Sequence, residues 1–285
     1  MMVFKKSKEL SAHIEELKRK GAEIGFVPTM GALHEGHLAL IRESIANNDF
    51  TVCSIFVNPV QFNNTEDFEN YPSTLEKDLN LLEQEACNAV FLPDVDEIYP
   101  SGTENLQAPF DLGIIDEVLE GKYRPGHFKG VAVVVKRLFD IVQPDRAYFG
   151  EKDFQQLVLI KQMVKQLDIP VEVVGIPTVR TSEGLALSSR NLRLNPEQKK
   201  LALNIYKALS FALIKINESA DLKEVKKYVL KQFFNHPNIR LEYFEIIDEH
   251  TLLPVEKIKK GQKIRIVAAA YVDNIRLIDN IGIIA

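Results

Sequence analysis

His34 and His37 stand three residues apart in Pro28-Thr-Met-Gly-Ala-Leu-His-Glu-Gly-His37, between an apolar run ending at Val27 and a periodic run opening at Leu38. A strand that passes through a glycine-bearing turn into a helix leaves backbone N–H groups unpaired, and the helix start adds partial positive charge. Such a junction is a natural site for an anion, here read as the phosphates of a nucleotide triphosphate. Gly31 and Gly36 allow main chain to approach the anion, and the two imidazoles add donors aimed in one direction. This is not the metalloprotease pattern, which needs histidines at i and i+4 on a formed helix.

Four further clusters could do chemistry. Asn58 and Gln61 place two amides just past an apolar strand, suited to the hydroxyl, carboxylate or amine of a small polar substrate. Arg124 and His127 flank Gly126 before an apolar helix and read as a second anion-binding turn. In Gly150-Glu-Lys-Asp153, Lys152 is a cation for phosphate, Asp153 a carboxylate for ribose hydroxyls or Mg²⁺, and Gln156 follows one turn on. Leu187-Ser-Ser-Arg190 offers two hydroxyls and a guanidinium in a loop able to close over a polyphosphate.

The elements that must position these groups alternate. Strands are expected at Ile24–Val27, Val52–Val57, Ala89–Leu92, Ala147–Phe149 and Val171–Ile176. Helices are expected over 11–20, 37–47, from Ser73 (a Ser73–Glu76 capping box), 130–142 and 154–167. Alternation of this kind is the mark of an α/β, Rossmann-like parallel sheet, whose ligands bind at the carboxyl ends of strands. The chemistry-bearing residues follow Val27, Val57 and Phe149, which are such ends. Beyond Ile176 two helices, opened by Asn195-Pro196 and Asp221, precede strands over 240–247 and 263–271. The expected division is therefore a catalytic domain over 1–177 and a smaller α+β domain over 178–285.

A net charge of −5 over 285 residues, with Lys and Arg scattered, argues against a nucleic-acid binder. The basic run Lys257–Lys263 reads as a solvated hairpin turn around Gly261. Cys53 and Cys87 match no zinc or redox spacing and are expected to be reduced. His13, His236 and His250 are expected to be surface or packing residues. The N-terminus turns polar too early for a signal peptide, and no apolar run reaches membrane-spanning length, so a cytoplasmic protein without a membrane partner is expected.

Set in order, these motifs resemble the pantoate–β-alanine ligase family across nearly the whole chain. Met30–His37 resembles that family's form of the HxGH motif shared with class I aminoacyl-tRNA synthetases and nucleotidylyltransferases. The resemblance implies a two-step ligation in which ATP and pantoate give an acyl adenylate and β-alanine then displaces AMP. It implies ATP contacts at Met30, Gly31, Ala32, Leu33, His34, Glu35, Gly36, His37, Gly150, Glu151, Lys152, Asp153, Val179, Leu187, Ser188, Ser189 and Arg190. Gln61 and Gln156 would hold pantoate, Gln61 would also lie near β-alanine, and Asn58, Arg124 and His127 would be on the substrate side. His37 is given the acid role, supported by His34 and Lys152. The family is similar in fold, a Rossmann-like domain with a smaller C-terminal lid, and forms homodimers with Mg²⁺ accompanying the nucleotide. Where some members place consecutive carboxylates, this chain reads Glu76-Lys-Asp78, which leaves Asp78 as the metal contact.

Adenylation brings two anions together, so His34, His37, Lys152, Arg190 and Mg²⁺ are the expected counter-charges. A nucleotidylyltransferase with a phosphate acceptor would want more basic residues than the amides Gln61 and Gln156. A nucleotide-binding sensor or RNA-binding relative of the synthetases would bind ATP without turnover.

Overall fold

The computed structural model describes residues 1–234 and 238–284, so His236 lies outside the described residues. The chain divides into two compact units, Met1–Val179 and Arg180–Ala285.

In the first unit six strands form one sheet: β1 (Met2–Phe4), β2 (Ile24–Thr29), β3 (Phe50–Ile55), β4 (Ala89–Phe91), β5 (Arg146–Gly150) and β6 (Glu172–Ile176). Their order is β1-β4-β3-β2-β5-β6 and every pairing is parallel. The longer helices are α1 (Ser7–Arg19), α2 (Glu35–Asn47), α4 (Leu75–Gln84), α7 (His127–Val142) and α8 (Phe154–Gln166). Short helices α3 (Thr65–Glu69), α5 (Val95–Ile98) and α6 (Glu120–Tyr123) lie in the connections. Phe26, Val27, Val52, Cys53 and Val90 are fully buried, as a parallel sheet covered on both faces requires. Gly25 permits close packing of α2 on β2, since a Cβ there would collide with Ser44 and Asn48.

This topology decides where a ligand can sit. Sequence order runs outward from β2 through β3 to β4, then returns to the other side of β2 for β5. The carboxyl ends of β2 and β5 therefore flank a topological switch point, the crevice such sheets use for ligands. The loop after β3 lies beside it.

Two differences from the sequence-based reading concern the edges. β1 was not expected, being only three residues long at the edge of the sheet. The start at Ser73 is corrected: α4 begins at Leu75 after Thr74, whose hydroxyl donates to Asp78 at 3.0 Å instead of forming a capping box.

In the second unit α9 (Pro196–Asn217) and α10 (Leu222–Phe234) accompany an antiparallel sheet β7-β8-β9, made of Ile239–Asp248, Lys263–Val272 and Ile275–Ile284. Asn195 and Gln198 cap α9 reciprocally at 2.9 Å each, and Asp221 accepts from the N–H groups of Lys223 and Glu224. Leu203, Leu209, Val229, Phe244, Ile264 and Ile266 belong to the core. β9 was not expected, because Arg276, Asp279 and Asn280 interrupt its apolar pattern; Asp279 and Asn280 are nevertheless buried.

Candidate active site

The turn after β2 is the first wall of the site. Gly31 and Ala32 take left-handed backbone angles, φ +79° and +48°, and so reverse the chain before α2. A buried carboxylate holds this turn. Ala32 N–H donates to Asp78 Oδ2 and Leu33 N–H to Asp78 Oδ1, both at 2.8 Å. Asp78, 1 % exposed, also accepts from Thr74 Oγ1 at 3.0 Å. Both oxygens of Asp78, the carboxylate expected to contact a metal, thus accept hydrogen bonds that hold the turn. No group of three or more His, Cys, Asp or Glu side chains among the described residues could hold a metal ion.

His34 caps α2, its Nδ1 accepting from Gly36 N–H at 3.1 Å. His37 Nδ1 accepts from His34 N–H at 3.3 Å, and the two rings lie 4.0 Å apart. A backbone N–H can only donate, so both Nδ1 atoms are acceptors and both neutral rings carry their proton on Nε2. Burial, and then the nearby Lys152 ammonium, push His34 down to about 4. Burial, His34 and Lys152 depress His37 well below the ordinary histidine value. The expectation that both histidines are counter-charges is corrected for the unliganded protein. They are neutral Nε2–H donors at physiological pH.

Lys152 supplies the fixed cation. It lies in a 3₁₀ turn, Glu151–Asp153, that continues directly from β5, with its Nζ 3.5 Å from Asp153 Oδ2. β5 pairs with β2 in parallel, so Lys152 at the end of one strand lies near the histidine turn at the end of the other. Gln156 stands half-buried in the first turn of α8. Its neighbour Gln155 was missed in the sequence. Buried, it donates to the carbonyls of Ile115 and Val118 and accepts from Glu120 N–H, tying that loop to α8.

The loop after β3 carries Gln61, whose Nε2 lies 3.2 Å from Met30 Sδ and so adjoins the histidine turn. Three expected substrate contacts instead hold this loop. Asn58 uses both ends of its amide on protein partners: Tyr99, Val60, Gln61 and Gly130. His127 Nδ1 lies 2.8 Å from the Gln61 carbonyl and its Nε2 3.1 Å from Arg124 Nη1. A guanidinium only donates, so Nε2 accepts and Nδ1–H donates to Gln61. Arg124 also pairs with Glu120 at 3.4 Å. Arg124 and His127, expected to form an anion-binding turn, thus brace the Gln61 backbone. Gly130 completes it, because a Cβ there would lie 2.7 Å from Gln61 Cα and from the Val60 carbonyl.

Val179 ends the first unit, whereas Leu187–Arg190 belong to the second. There Ser188 Oγ accepts from Arg190 N–H at 3.3 Å and Ser189 is buried. Arg180 anchors the preceding bend, reaching Asp279 at 2.6 and 2.8 Å and lying over the Tyr206 ring.

Comparison with known proteins decides the family. The model of the pantoate–β-alanine ligase family matches residues 2–282. The chain belongs to the pantoate–β-alanine ligase family. Pantothenate synthetase of Aquifex aeolicus is 50 % identical over 282 residues, 98 % of each chain. That of Cytophaga hutchinsonii is 46 % identical over 280 residues, 97 % of each. A crystal structure of pantothenate synthetase from Thermus thermophilus superposes with a TM-score of 0.90 at 43 % identity, covering 99 % of both chains. The ligase from Francisella tularensis, complexed with β-γ ATP and β-alanine, gives 0.81 at 37 % identity, covering 99 % of this chain and 97 % of that one. The fold expected of this ligase family, a parallel α/β sheet followed by a smaller α+β unit, is the fold observed.

Proposed function

We propose that this ligase condenses pantoate with β-alanine through a pantoyl adenylate, at the crevice between the ends of β2 and β5. The observation that carries the reading is the pair of neutral Nε2–H imidazoles beside Lys152, next to the Gln61 amide. Acyl adenylation is an in-line substitution in which the protein positions two anions and stabilises charge on the phosphates.

In the first step a pantoate carboxylate oxygen bonds to the α-phosphorus of ATP and the bond to pyrophosphate breaks. Gln61 and Gln156 orient pantoate. The Met30–His37 turn and Gly150–Asp153 hold the nucleotide, together with Val179. Lys152 offsets phosphate charge. His37 Nε2–H donates to an oxygen that gains charge, a task suited to a neutral imidazole because it needs no prior protonation. In the second step the uncharged amine of β-alanine bonds to the acyl carbon and AMP leaves with one former carboxylate oxygen. Mg²⁺ enters with ATP as part of the substrate. The ligase acts in the cytoplasm as a homodimer.

The substrate pattern tests this reading. Pyrophosphate release should require ATP and pantoate, and AMP accumulation over many turnovers should require β-alanine as well. ATP binding without turnover, or AMP transfer to a phosphate acceptor, contradicts it.

A further inference from the structure

Tyr99 follows α5, 41 residues from Asn58 in sequence, and 4 % of its surface is exposed. Its hydroxyl donates to Asn58 Oδ1 at 2.7 Å, and that oxygen also accepts from Val60 N–H at 3.3 Å. At the other end of the amide, Asn58 Nδ2 donates to the Gly130 carbonyl at 3.2 Å and to Gln61 Oε1 at 3.0 Å. A main-chain N–H only donates and a main-chain carbonyl only accepts, so the two backbone partners fix which end of Asn58 is oxygen. Both lone pairs of that oxygen and both Nδ2 hydrogens are then engaged. Gln61 must answer with its oxygen, and its NH₂ turns the other way, toward Met30.

We propose that Tyr99, acting through Asn58, is a positioning residue that turns the NH₂ end of Gln61 toward the histidine turn, so that the site selects the oxygen-bearing hydroxy acid over an amine-bearing isostere. A hydroxyl or carboxylate oxygen accepts from Nε2–H. An ammonium only donates and would face the amide N–H group to group. Buried polar groups left unpaired by the wrong ligand make such a site selective. This inference rests on the reading of Gln61 as a pantoate contact.

The test measures kcat and KM for ATP, for pantoate and for an analogue carrying an ammonium group in place of a hydroxyl. Tyr99→Phe keeps the ring and removes one donor from a buried acceptor. Its pantoate KM should rise about tenfold, the equivalent of ~1.4 kcal/mol, with the ATP KM within about twofold of the parent. Gln61→Glu presents an acceptor instead of a donor, and should shift the kcat/KM ratio toward the ammonium analogue. A purely structural Tyr99 would change ATP and pantoate kinetics together, and that result overturns the relay. An unchanged pantoate KM in Tyr99→Phe, or an unchanged selectivity ratio in Gln61→Glu, also overturns it, provided Gln61→Ala raises the pantoate KM. If Gln61→Ala leaves the pantoate KM alone, the contact beneath the inference falls with it.

Discussion

Replacing Asp78 by Asn separates a brace from a metal ligand. In the parent, two charge-assisted hydrogen bonds of 2.8 Å hold the Ala32 and Leu33 N–H groups, inside a region almost closed to water. Asparagine has one carbonyl oxygen, so its NH₂ would face one of those N–H groups. The change loses one charge-assisted bond and leaves a buried donor unpaired, about 3 kcal/mol in all. For a unit the size of Met1–Val179 that is a fall of about 6–12 °C in the melting midpoint. Because the turn leads directly into His34, kcat/KM for ATP should fall as well. Calorimetry on the variant, with kinetics at limiting and saturating Mg²⁺, distinguishes the two roles. A brace gives a lower midpoint and a rate loss that excess metal does not restore. A variant that melts with the parent and recovers its rate in excess Mg²⁺ would refute the reasoning.

Other perturbations probe the remaining parts of the site. His37→Ala should lower the single-turnover rate of pyrophosphate release by about 10²–10³, the typical cost of losing one donor to developing charge, with the fold intact by circular dichroism. Gly130→Ala should raise the pantoate KM more than the ATP KM, because the new methyl pushes on the backbone of Gln61. The depressed values of His34 and His37 also set a pH dependence. Below the unfolded-state value of about 6.5 the unfolded chain binds protons that the folded one refuses, so the histidine contribution is complete above that pH. For His34 it is lost as pH falls from there toward about 4; imidazole NMR should report neutral Nε2–H rings at pH 6, whereas titration near 6.5 would contradict the assignment. In the second unit Arg180→Ala removes the guanidinium from Asp279, whose side chain is 4 % exposed, and should destabilise that unit by about 3 kcal/mol in denaturant unfolding. An Arg180→Met, Asp279→Leu double variant should regain much of that loss.

The alternation of strands and helices was legible because buried parallel strands are continuously apolar while α1 and α4 keep a helical period. The histidine turn was legible because glycines and imidazoles at a strand-to-helix junction have few other uses. Residue type did not disclose partners. Asn58, Arg124 and His127 look like substrate groups in sequence, but their partners include Gly130, 72 residues from Asn58, and Gln61, 66 residues from His127. Only the fold brings those together. Asp78 likewise reads as a carboxylate near a nucleotide, and its distance of 46 positions from Ala32 hides the bonds that occupy it. Residue type also left the histidines neutral or cationic. Imidazoles beside phosphate suggest cations, but burial first, and then the adjacent Lys152, favour their neutral forms, with both Nδ1 atoms accepting from backbone N–H groups. Gln155 and Gln156 are adjacent in sequence, and only burial separates the loop anchor from the cleft residue.

The fate of a pantoate carboxylate oxygen tests the acyl-adenylate route most directly. Pantoate with an isotopically labelled carboxylate is turned over with ATP and β-alanine, and the AMP is analysed by mass spectrometry. One labelled oxygen should appear in the phosphate of AMP. Unlabelled AMP, with the label in orthophosphate or pyrophosphate, would contradict attack at the α-phosphorus.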